Sequence, residues 1–127
     1  MAGARGTALL SLPAIALLLL AAHFVHAGLW PIAAACIAAT ALLAVPRAWA
    51  ARTLQVLLAI GAVEWVLTAA VIAHMRVAQG QPYLRMLTIL GVVCVLTVVA
   101  ALTFQHPALR RRFGLGAIAE NPAAHAG

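Results

Sequence analysis

Four long apolar runs joined by short polar links constrain this chain more than any other feature. They cover residues 7–25 (TALLSLPAIALLLLAAHFV), 29–45 (LWPIAAACIAATALLAV), 54–74 and 86–104. Each run is comparable to the ~17–25 residues a helix needs to cross a bilayer. Strands are excluded on physical grounds. The runs show no alternation, and an open sheet would leave backbone groups unpaired in hydrocarbon. Composition agrees: 66% of residues are hydrophobic and 8% are charged. A chain so poor in charge cannot cover a water-exposed surface, so lipid is its expected solvent.

Short links force neighbouring helices to run antiparallel. The expectation is an all-α integral membrane fold, an antiparallel four-helix transmembrane bundle built from residues 1–107. In "HAGLWP", Pro31 falls just inside the next helix, where its missing N–H costs nothing. "PRAWAAR" carries Arg47, Trp49 and Arg52, a basic and aromatic interface signature. "RVAQGQPYLR" places Gly80 and Pro82 between Arg76 and Arg85, a turn at the membrane surface. Pro107 is expected to end the fourth helix. Residues 108–127 are basic and without periodicity, and are expected to form a disordered cytoplasmic tail. "VHA" before Gly28 fits a signal-peptidase site. The run before it is long for a signal peptide and broken by Pro13, so the first span is expected to be retained.

The net charge of +6 comes from arginine alone, since the chain has no Lys and no Asp. In a soluble protein such a balance would point to nucleic acid. Here the arginines lie between apolar runs, so they set topology. Arg5, Arg47, Arg52, Arg110, Arg111 and Arg112 fall on one side of a four-span arrangement, and only Arg76 and Arg85 on the other. The positive-inside rule then puts both termini in the cytoplasm, and the expected location is the inner (plasma) membrane. Arg110–Arg112 form a stop-transfer signal, with anionic lipid headgroups as their candidate ligands. Cys36 and Cys94 lie inside apolar runs and read as small buried hydrophobes.

Glu64 is the one acid inside an apolar run. With about ten residues on either side, it stands ~15 Å from each interface if its span is centred. A charge at that depth costs roughly 2.5–3.5 kcal/mol, so the neutral acid is expected. Gly61, Glu64 and Thr68 share a helix face. Thr40 and Thr97 lie at similar depth on neighbouring helices, and one of them is expected to receive the hydrogen bond of Glu64. His23, His26 and His74 all fall near the outer interface, a weak candidate set for metal or haem.

No Ser/His/Asp set, phosphate-binding loop or pair of carboxylates appears, so the chain is not expected to be an enzyme. The leading expectation is a non-catalytic accessory or assembly subunit acting by helix packing. Its partners would be the lipid bilayer and a larger membrane protein or a second copy, with no cofactor and no nucleic acid. The alternative is a small oligomeric proton- or cation-linked transporter or channel using Glu64. A third reading is a haem- or metal-binding membrane subunit using His23, His26 and His74. The arginine split yields a direct test. A reporter fused after Arg112 should read cytoplasmic and one inserted at Gly80 external, and the reverse at both sites would overturn the orientation.

Overall fold

The structure, a computed structural model, describes residues 2–115. These residues form helices α1 (Ala2–His26), α2 (Trp30–Ala41), α3 (Ala48–Ala78), α4 (Leu84–Leu102) and α5 (Pro107–Arg112), with no strand among them. Single 3₁₀ turns, Leu42–Ala44 and Thr103–Gln105, extend α2 and α4. Three helical stretches, Ala4–His26, Ala48–Ala78 and Leu84–Gln105, are long and apolar enough to cross a membrane. The fourth apolar helix, Trp30–Ala44, is shorter. At 1.5 Å per residue it reaches about 22 Å, against a hydrocarbon core of about 30 Å.

The third run overshoots its expected bounds. Helix α3 has 31 residues and runs past both ends of the apolar stretch, from Ala48 to Ala78. Two glycines make the reversals sharp. At Gly28 (φ 77°) the amide of Leu29 reaches back to Phe24 O at 2.8 Å; at Gly80 (φ 65°) that of Gln81 reaches Arg76 O at 2.8 Å. Both close helices through a left-handed residue that glycine adopts without strain. Pro13 lies fully buried inside α1 without ending it.

Contacts between helices reveal their relative directions. The side chain of Gln55 reaches Ala101 O at 3.4 Å, and the thiol of Cys94 reaches Ala62 O at 3.6 Å. As α3 advances α4 retreats, so these two helices run in opposite directions. A Cβ on Gly61 would meet Leu20, and Glu64 touches His23. Both α1–α3 pairs advance together, so α1 and α3 run in the same direction.

The main core lies between the middle of α1 and the N-terminal part of α3. There Leu17, Leu54, Leu58, Phe104, Leu109 and Phe113 are all buried. The last two residues correct an expectation. Pro107 does not simply stop the fourth helix; α4 and its 3₁₀ turn finish before it, and Pro107 opens α5. His106 caps that helix, its Nδ1 accepting from the amide of Ala108 at 3.2 Å. The segment expected as a disordered tail therefore begins as a helix, and its remainder, 116–127, lies outside the described residues. The sequence signal was slight because a six-residue helix is too short for a visible period. What folds it is burial of Leu109 and Phe113, with the Phe113 ring 5.6 Å from that of Phe104.

Phe113→Ala should therefore lower stability by about 3 kcal/mol, the usual cost of emptying a buried aromatic site. Arg111→Ala, at an exposed position, should stay within about 0.5 kcal/mol. Thermal unfolding in detergent checks both, and equal effects would mean that α5 is not docked.

Candidate functional site

The intramembrane acid has a partner, and it is neither threonine first considered. Glu64 Oε1 lies 3.2 Å from His23 Nε2. Thr68, one turn further along α3, donates its hydroxyl to the same carboxylate oxygen at 3.2 Å and lies 3.5 Å from His23 Nε2. Three polar groups from two helices thus converge on one point. Of the four polar positions expected at this depth, Glu64 and Thr68 come together. Thr40 and Thr97 each donate instead to a carbonyl of their own helix, Ile37 O and Val93 O. A hydroxyl one turn from a backbone acceptor satisfies itself locally and has no need of a distant acid.

The relative shift of α1 and α3 explains why His23 was missed. Counted along its own span, Glu64 is central and His23 is terminal, so the two seem to differ in depth. In the structure α1 stops at His26, three residues after His23, while α3 continues to Ala78. The middle of α3 therefore meets the end of α1. Since the polar α1–α2 link follows within about 5 Å of His23 along the helix axis, Glu64 is less deeply set than a centred span implies. The side chains of His23 and Glu64 are 19% and 34% exposed.

Aromatic neighbours hold the imidazole. Its ring centroid is 4.8 Å from that of Trp65 and 5.3 Å from that of Phe24. Trp65 belongs to a small buried cluster with Leu20, Ala21 and Cys36, and its indole N–H is buried without a hydrogen-bond partner. On α3, Gly61 lets Leu20 approach closely: a Cβ there would lie 2.8 Å from the leucine Cδ2. His23 lies one turn beyond Leu20 on α1 as Glu64 lies three residues beyond Gly61 on α3, so the two contacts follow one another along the same pair of helices.

The carboxylate also opens onto space. A cavity of about 170 Å³ between α1, α2 and α3 is walled by Leu20, Phe24, Ile32, Cys36 and Ile60 among others, with Glu64 as its one ionisable group besides the Cys36 thiol. Chemically the site can hold a proton, or a cation in its place, between an imidazole and a carboxylate.

The other candidates separate. His26 and His74 are exposed, and no group of three or more His, Cys, Asp or Glu side chains suited to a metal forms among the described residues. His23 is engaged by Glu64, so the three histidines do not act as one set. In the arginine run, Arg110 and Arg111 are exposed, while Arg112 donates to Leu43 O at 3.4 Å and lies 5.8 Å from the Phe113 ring centroid. Arg112 thus fastens α5 to the end of α2, whereas the other two remain available to headgroups. No family model matches the chain, and no curated protein or solved structure is significantly similar to it.

The contact can be measured as a coupling. In a double-mutant cycle, His23→Ala and Glu64→Ala should each lower the unfolding free energy, and their effects should fall short of additivity by about 0.6–1.7 kcal/mol. Strict additivity would show that the two side chains do not interact.

Proposed function

We propose that this chain is a multi-pass protein of the inner (plasma) membrane, an antiparallel four-helix bundle with both termini cytoplasmic. In this reading it works as a proton- or cation-linked transport subunit through Glu64. The shared direction of α1 and α3 and the opposite direction of α4 suit an up-and-down bundle. The shorter Trp30–Ala44 helix serves as the second span, with local bilayer thinning making up its length.

One observation carries the transport reading: the Glu64 carboxylate is bonded to His23 on one side and borders a cavity on the other. A lone acid would argue against transport, because it has no group with which to exchange a proton. An imidazole at 3.2 Å supplies one. Ionisable residues inside membrane helices commonly mark proton relays, with acid and histidine in sequence. His26, exposed and one turn beyond His23, stands on the path from the α1–α2 link to the pair. Four helices of this length enclose no complete pathway, so the working unit is an oligomer of this chain.

The accessory role is the second reading, favoured by the tight Leu20–Gly61 approach beside the pair. There the same three groups would only pin α1 to α3.

Proteoliposomes loaded with a pH-sensitive dye separate the two. Wild-type protein should dissipate an imposed pH gradient. Glu64→Gln should abolish that flux while the variant still assembles, because an amide fills the place of the acid but carries no exchangeable charge. Equal flux from wild type and variant, or no flux above empty liposomes, would favour the packing role.

A further inference from the structure

At the opposite end of the α3–α4 hairpin from the main core lies a feature that proton exchange does not use. A cleft of about 670 Å³ opens between the end of α3 and the start of α4, around the Gly80 turn. Its floor is apolar, formed by Ile72, Met86, Ile89 and Leu90, and its rim carries Arg76 and Arg85. We infer that this cleft is a binding site for one anionic phospholipid, its phosphate held by Arg76 and Arg85 and an acyl chain lying along the apolar floor.

Three observations support this occupant. Arg76 is held in place, donating through Nη1 to Pro82 O at 3.0 Å, which fixes its guanidinium at the rim. Arg85 makes no hydrogen bond or ion pair with another described residue. The only acid among the described residues, Glu64, stands twelve residues before Arg76 on the same helix, ~18 Å away, and is occupied by His23. Two cations therefore flank an apolar surface with no protein anion to answer them. Their position adds weight, because the positive-inside rule disfavours arginine on the side where the arginine count places this turn. A guanidinium fork matches the oxygens of a phosphate in pairs, which an ammonium does not. The floor selects a phosphate that brings an acyl chain with it, where a free phosphate would leave that apolar surface uncovered.

Native mass spectrometry of the full chain in a non-ionic detergent tests this. The probes are phosphatidylglycerol, phosphatidylcholine with the same acyl chains, and inorganic phosphate alone. Phosphatidylglycerol should bind wild type about 30-fold more tightly than Arg76→Gln/Arg85→Gln. Arg85→Gln alone, which leaves the Arg76–Pro82 bond intact, should lose about fivefold. Phosphatidylcholine should bind weakly and equally to all three proteins, and inorganic phosphate should neither bind detectably nor displace the lipid. Unchanged phosphatidylglycerol affinity in both variants would overturn the site. So would a loss seen only in Arg110→Gln/Arg111→Gln/Arg112→Gln, or phosphatidylcholine binding as tightly as phosphatidylglycerol. Inorganic phosphate binding as tightly as the lipid would replace the lipid by a free anion and overturn the assignment as well.

Discussion

The contact between His23 and Glu64 organises the polar interior of this protein. Hydrocarbon offers no water to a carboxyl group, so an acid there needs a partner from the protein or a cost of several kcal/mol remains unanswered. Helix α3 alone supplies only the Thr68 hydroxyl. The second partner has to come from a neighbour, and it comes from α1, whose Leu20 packs against Gly61 one turn away. A side chain at position 61 would meet the end of the Leu20 side chain, which would have to shift to make room. The imidazole, the hydroxyl and the acid thus form one polar cluster spread over two helices.

Much of the architecture was legible in the residues, because the bilayer imposes a length and a composition on anything that crosses it. The apolar runs 7–25, 54–74 and 86–104 correspond to three long helices whose ends extend beyond the runs. The reversals at Gly28 and Gly80 carry their usual turn chemistry. The segment after Pro107 was less legible, since Leu109 and Phe113 are too few to announce a helix. Their fate was decided by an apolar surface made of distant parts of the chain, notably Phe104, Leu54 and Leu17.

The site was half legible, for a definite reason. Glu64 and Thr68 are four residues apart on one helix, a relation fixed by the helical repeat. Whether His23 reaches them depends on how far α1 slides along α3, and no local pattern encodes that slide. Measuring each span from its own centre gave His23 and Glu64 different depths. The packed helices give them the same depth, since α1 ends at His26 while α3 runs on to Ala78. Thr40 and Thr97 show the converse error. They matched Glu64 in depth, but each has a carbonyl of its own helix within reach, and a bond that costs no helix movement forms first.

Stability and chemistry are segregated along the bundle. Around the middle of α1 and the N-terminal part of α3 the interior is closed: Leu17, Leu54, Leu58, Phe104 and Leu109 are fully buried, and α5 packs there through Phe113 and Arg112. One or two turns further on, the packing changes character. There the protein keeps a cavity of about 170 Å³, a buried indole N–H without a partner and a carboxylate one-third exposed. Each of these subtracts from stability, since a void forgoes dispersion contacts and an unbonded N–H forgoes its hydration. These features gather in one place, beside Glu64, the one acid among the described residues. The closed half supplies the stability that lets the other half stay imperfect. In that less tightly packed half the imidazole and carboxylate meet beside open space instead of apolar side chains on every side.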